Sequence, residues 1–120
     1  MDYRVIPRCI RTIPEIAAVG ITEKKAKEGE LDVRIGKFPL TANTKASIMK
    51  GDSGFVKVIA NSKSGEILGV HIIGPQATEI IAEAAVVMEM RGTVQNIVST
   101  LHAHPTVCEA IRGAALNVGS

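Results

Sequence analysis

Aromatic residues are almost missing from this chain: Tyr3, Phe38 and Phe55 are the whole set and there is no tryptophan, so no platform exists on which bases could stack. Charge of one sign is missing too. The formal net charge of +2 arises from 14 Lys and Arg against 12 Asp and Glu, interspersed rather than gathered into a basic stripe, and nucleic acid is not an expected partner. Long hydrophobic runs are absent, since 67–73 and 80–90 are broken by His71, Glu83 and Glu89, and no membrane partner is expected. The start Met-Asp-Tyr-Arg has no apolar signal core, which makes a cytoplasmic location the expectation. Cysteine is limited to Cys9 and Cys108, with no paired spacing, so reduced thiols are expected. Also lacking are a Gly-rich strand-to-helix fingerprint, a phosphate loop, paired catalytic carboxylates and a Gly-x-Ser-x-Gly elbow. The chain therefore has no cofactor cradle and no nucleophile of its own.

What is present is enough apolar residue for one core: 46% of 120 residues, read as a single domain over 1–120. Short strands are predicted at 3–10 and 15–20, separated by the Thr12-Ile13-Pro14 break. Thr22 suits the N-cap of a lysine-rich helix ending at Gly29, and the alternation of Leu31, Val33 and Ile35 predicts a half-buried strand over 31–39. A short helical turn is predicted within 41–50. Apolar runs at 54–60 and 66–73 flank the polar loop 61–65 and predict a β-hairpin, with His71 on the strand face of Ile67 and Ile73 as a packed or edge histidine. Helices follow at 78–91, with Thr78 at the start, at 93–100 behind Thr93, and at 106–116. Strands first and helices last argue for an α+β fold of two layers, an antiparallel sheet with helices packed on one face. The 78–91 helix is apolar on nearly every side, with Val86 and Met90 beside Glu79 and Glu83; either the sheet and other helices sandwich it, or a second chain covers its outer side.

The densest chemistry lies in His-Ala-His-Pro-Thr-Val-Cys-Glu, residues 102–109. Pro105 fixes its own φ and drives His104 out of the helical region, so the chain turns before Thr106 can cap a helix with Glu109 at its third position. A carboxylate at that position reaches back toward His104, and a histidine held by a carboxylate is a general-base arrangement. The same spacing is also an ordinary capping box. A third reading takes His102, His104 and Cys108 as metal ligands completed by Cys9 or His71, but structural zinc sites prefer paired clusters and no metal is expected.

Four stretches together resemble the C-terminal interface domain of the FAD-dependent pyridine nucleotide-disulfide oxidoreductases, most closely the dihydrolipoyl dehydrogenase type. They are Ile6-Pro7-Arg8-Cys9 with Pro14-Glu15-Ile16-Ala17; Gly36-Lys37-Phe38-Pro39 with Ala42-Asn43; the run from Gly54 to Gly74; and His102-Ala103-His104-Pro105-Thr106-x-x-Glu109. The resemblance covers nearly all of the chain. It implies His104 as the acid–base residue and Glu109 as its orienting partner, with a cis His104–Pro105 peptide. It further implies that His102, His104 and Pro105 face the FAD and redox disulfide of the other subunit of a homodimer. FAD and NAD would belong to the parent enzyme, bound by its FAD- and NAD-binding domains, and none would be held by this domain alone. The 120 residues by themselves would be inactive, for the Cys-x-x-x-x-Cys redox pair of the family is not among them. A lipoyl domain of a 2-oxo acid dehydrogenase or glycine-cleavage complex is the implied partner. The alternatives are the interface domain of a mercuric- or glutathione-type reductase, or an association module without catalysis.

Overall fold

A computed structural model describes residues 6–11, 14–43, 54–100, 102 and 107–118. In chain order the elements are β1 (Arg8–Ile10), β2 (Ile16–Gly20), α1 (Glu23–Glu28), β3 (Val33–Pro39), a 3-10 turn (Leu40–Ala42), β4 (Phe55–Asn61), β5 (Ile67–Ile73), α2 (Ala77–Glu89), α3 (Val94–Ser99) and α4 (Glu109–Val118). The five strands form one antiparallel sheet in the order β1-β2-β5-β4-β3. Strands precede the long helices, and the architecture is the α+β arrangement expected from the sequence.

The β4–β5 hairpin is closed by its own loop chemistry. Asn61 Oδ1 accepts from the amides of Lys63 and Ser64, both at 2.9 Å, and Gly65 takes φ 77°, which a side chain would resist. Period-two alternation then sends Val56, Val58, Val70 and Ile72 to one face, where all four are fully buried. Against them pack Ile81, Ala84 and Met88 of α2 and Ile111, Ala114 and Val118 of α4. Each such Val or Ile contributes roughly 1.5–3 kcal/mol relative to an exposed position.

Helix α4 lies unusually near the sheet, because glycines face each other's elements. A Cβ on Gly36 of β3 would strike Ala114 O and Val118 N, and one on Gly113 of α4 would strike the Phe38 ring. The opposite sheet face carries Lys57 and His71 as cross-strand neighbours, and α1 approaches it: Lys57 pairs with Glu23, which holds the Glu23 carboxyl below its ordinary range. Thr22 caps α1 as expected, its hydroxyl accepting from Lys25 N.

Several local expectations are corrected by tertiary contacts. Thr78 is not the cap of α2: the helix begins at Ala77 after Gln76 (φ 62°), and Thr78 donates its amide (3.0 Å) and hydroxyl (2.8 Å) to Glu15 from the approach to β2. The carboxylate supplies the capping acceptor from 63 residues away. His71 and Ile67 do not share a face, because a bulge leaves Leu68 unpaired between the Ile59–Gly69 and Ala60–Ile67 pairs and flips the alternation. The first described strand is short, 8–10, and residues 3–5 of the expected 3–10 strand lie outside the described residues, as do 44–50 of the helical turn expected within 41–50, where the described part is the Leu40–Ala42 3-10 turn. The last helix starts at Glu109 behind a 107–108 turn, not at 106. Thr93, by contrast, caps α3 in a capping box with Asn96.

Candidate functional site

The end of α3, residue 102 and the first turns of α4 enclose a cleft of 390 Å³ with the end of β3. Phe38 and Asn43 line one side; Thr100, His102, Glu109 and Arg112 line the other. The fold thus brings His102 and Glu109 to one place. His104, Pro105 and Thr106 lie outside the described residues, as does the His104–Pro105 peptide.

Glu109 is half-buried at the first residue of α4, where an acidic side chain is favoured by the helix dipole. Val107 just before it is buried, and Ala110 N donates to Val107 O at 2.9 Å while Ile111 N donates to Cys108 O at 3.1 Å. These tight bonds root the helix start in the core. Across the cleft Arg112 Nε donates to Val98 O at 2.9 Å, fastening the end of α3 to α4.

His102 is held at both nitrogens. Nδ1 donates to Thr100 O at 3.0 Å, and Nε2 meets Glu83 Oε2 of α2 at 2.8 Å. The carbonyl only accepts, so Nδ1 carries hydrogen, and the Nε2–carboxyl contact must hold one further proton between its two atoms. The ring is 7% exposed and the Glu83 side chain 27%. Thr100 is itself secured, its hydroxyl donating to Asn96 O at 2.6 Å and its amide to Ile97 O at 3.2 Å.

Cys108 is half-buried; burial first, and then the neighbouring Glu83 carboxylate, push its thiol above the ordinary range. Cys9 lies exposed on β1, and both cysteines are free. His71 is turned away from the cleft, its Nε2 donating to Ile21 O at 2.9 Å. Among the described residues no group of three His, Cys, Asp or Glu side chains is placed to hold a metal, and the ligand set that needs His104 falls partly outside them. Also among the described residues, no helix is long and apolar enough to cross a membrane.

Sequence reasoning missed Glu83, Thr100 and Arg112. Glu83 is 19 residues from His102 and read as one of several glutamates on a helix; no local spacing marks it. Only the i to i+3 relation of Glu109 and Arg112 places both on one side of α4.

Residues 6–115 match the family described as the pyridine nucleotide-disulphide oxidoreductase dimerisation domain. The chain is 46% identical over 118 residues to dihydrolipoyl dehydrogenase 3 of Pseudomonas putida, covering 98% of this chain and 25% of that protein. It is 43% identical over 116 residues to the mitochondrial dihydrolipoyl dehydrogenase of Pisum sativum, covering 97% of this chain and 23% of that protein. The crystal structure of LpdA from Mycobacterium tuberculosis superposes with a TM-score of 0.91 at 31% identity, over 97% of this chain and 25% of that one. The chain spans about a quarter of the length of the curated relatives it matches.

Proposed function

Because the chain belongs to the dimerisation-domain family of the pyridine nucleotide-disulphide oxidoreductases, we propose that it forms the homodimer interface of a dihydrolipoyl dehydrogenase and lends His104 and Glu109 to the reaction centre of the partner subunit. The observation that carries this reading is Glu109: it stands at the start of α4, on a cleft shared with His102, five residues after His104. The 46% identity to a dihydrolipoyl dehydrogenase supports that substrate class over other disulfide reductases.

The described residues offer an acid–base edge and no flavin cradle: the cleft walls are a carboxylate, an imidazole already held at both nitrogens, a guanidinium and apolar side chains. On this reading FAD and NAD belong to the FAD- and NAD-binding domains of the parent, and His102, His104 and Pro105 are the residues proposed to face the flavin of the partner subunit. When bound there, the flavin supplies two-electron transfer between a disulfide and the nicotinamide. The part left to this chain is proton handling. A thiolate, not a thiol, attacks a disulfide, so His104 accepts the proton of a dihydrolipoamide thiol. Glu109 favours the resulting imidazolium and so steadies the thiolate beside it. The substrate arrives on a lipoyl domain of a 2-oxo acid dehydrogenase or glycine-cleavage complex, and the 120 residues alone turn nothing over.

The test is His104→Gln in the flavin-loaded enzyme that carries this chain. Dihydrolipoamide-dependent reduction of NAD is expected to fall by roughly 10²- to 10⁴-fold with flavin content intact. Unchanged turnover overturns the assignment.

A further inference from the structure

The sheet face turned away from α2 and α4 is ordered in rows by the strand register. Pro39, Phe55, Ile73, Ile16 and Ile10 stand side by side across β3, β4, β5, β2 and β1. The adjacent row, in the same strand order, is Lys37, Lys57, His71, Ala18 and Arg8. Cross-strand neighbours share a face, and neither row belongs to the core on which the two long helices pack. An apolar band about 19 Å long therefore runs beside a basic one.

Little within the chain covers these rows. Ile10 is 55% exposed and Ile16 38%, Pro39 is exposed, and Phe55 and Ile73 are half-buried. Lys37 Nζ stands 4.2 Å from the centre of the Phe55 ring and Lys57 Nζ 5.8 Å, while Arg8 Nη2 donates to Gly20 O at 3.3 Å. The cations outnumber their partners. Neither row contains an acid, and among the described residues the carboxylate ion-paired to them is Glu23 of α1, on Lys57, with Lys27 and Lys37 also close to it.

We infer that this face is a docking surface for another part of the parent polypeptide, one that lays an apolar ridge on Ile10, Ile16, Ile73 and Phe55 and sets carboxylates beside Arg8 and Lys37. The inference rests on reading the chain as one domain of a longer dihydrolipoyl dehydrogenase. An apolar centre with a polar rim is the anatomy of an interface, and a rim of one sign selects the opposite sign across it. A second copy of the same face does not fit, because it brings the same cations and no free acid. The outer side of α2 on another copy does bring carboxylates, Glu79 and Glu89, beside Val86 and Met90. That side lies across the sheet from the two rows, so joining it to them adds copies head to tail in rings or filaments and makes no twofold dimer. What remains is chain beyond these residues: the match takes up only 25% of the Pseudomonas putida relative.

The experiment uses the flavin-loaded enzyme that carries this chain, assembled from isotope-labelled and unlabelled subunits and treated with a carbodiimide, which joins an amine to a carboxylate in contact with it. Lys37 is expected to link to an Asp or Glu of its own subunit outside these 120 residues. Hydroxyl-radical oxidation of Ile10 is expected to be slower than that of Leu31, which is 50% exposed on a different part of the domain. Ile10→Asp and Ile16→Asp should each speed limited proteolysis between this domain and the rest of the parent by roughly tenfold or more, the scale set by losing the burial of one aliphatic side chain. An unchanged dimer fraction in gel filtration shows that the domain itself still folds; should Ile16→Asp lose it, Ile10→Asp on the edge strand decides. Lys37 links that reach only the other subunit or a separately added protein, or no link at all, overturn the inference. So do oxidation of Ile10 as fast as of Leu31 and an unaltered proteolysis rate in Ile10→Asp. A native polypeptide no longer than these 120 residues instead removes the reading of the chain as part of a larger enzyme.

Discussion

Helices α2 and α4 cover the same sheet face, yet only α4 is completed within the chain. Helix α4 buries Ala110, Ile111, Ala114, Ala115 and Val118, and Gly36 and Gly113 let it approach until backbone and ring meet. Helix α2 buries Ala77, Ile80, Ile81, Ala84 and Met88 but leaves Val86 59% exposed, with Met90 just beyond its end at 78%. One helix is held by shape; the other is held on its inner side, pinned by Glu15 at its start and engaged by His102 at Glu83. The difference explains why the 78–91 sequence reads as apolar all round. Its inner side serves this chain's core, and its outer side presents unmatched apolar surface of the kind an interface covers.

The contrast breaks most severely at the glycines. Gly113→Leu is expected to destabilise the protein by about 3 kcal/mol, the upper range for overpacking, since even a Cβ at this position would overlap the Phe38 ring. Chemical denaturation measures it, and a loss below about 1 kcal/mol would mean that α4 is not seated by close approach.

Next in size is the anchor of α2. Glu15→Ala should cost about 1 kcal/mol at neutral pH, as for the loss of a helix cap on a half-exposed side chain. The bonds from the Thr78 amide and hydroxyl, aided by Arg11, hold the Glu15 carboxyl below its ordinary range. A depressed carboxyl contributes its stability above the unfolded value, about 4.3, and loses it as the pH falls through the folded value. The gap between wild type and Glu15→Gln should therefore shrink in acid; a gap that is constant with pH would remove the ionic part of the anchor.

The smallest effect on folding sharpens the comparison from the other side. Val86→Ser with Met90→Ser should change unfolding free energy by no more than about 0.5 kcal/mol, as for surface positions, while reducing the dimer fraction seen by gel filtration. If stability instead falls like that of a core variant, the outer side of α2 is not a free surface.

Much of this was legible locally. The hairpin announced itself through its polar loop and apolar flanks, Thr22 and Thr93 through their caps, and the last helix through Pro105 and Glu109. What was hidden depended on contacts distant in sequence: Glu15 reaching Thr78, Glu83 reaching His102, and Arg112 reaching Val98. The bulge at Leu68 reversed the face assigned to His71 because alternation counts residues and cannot see one left unpaired. For the candidate site, sequence singled out His102, His104 and Glu109 because they crowd around one proline turn, but not the residues that hold them.

By itself, then, the sequence determined the order of elements, the α+β class and the family to which the chain belongs, for periodicity, caps and contiguous motifs are short-range properties. The tertiary structure alone decided how near α4 lies to the sheet, which side of α2 stays uncovered and which carboxylate takes His102. Those depend on three-dimensional proximity between residues that no spacing along the chain relates.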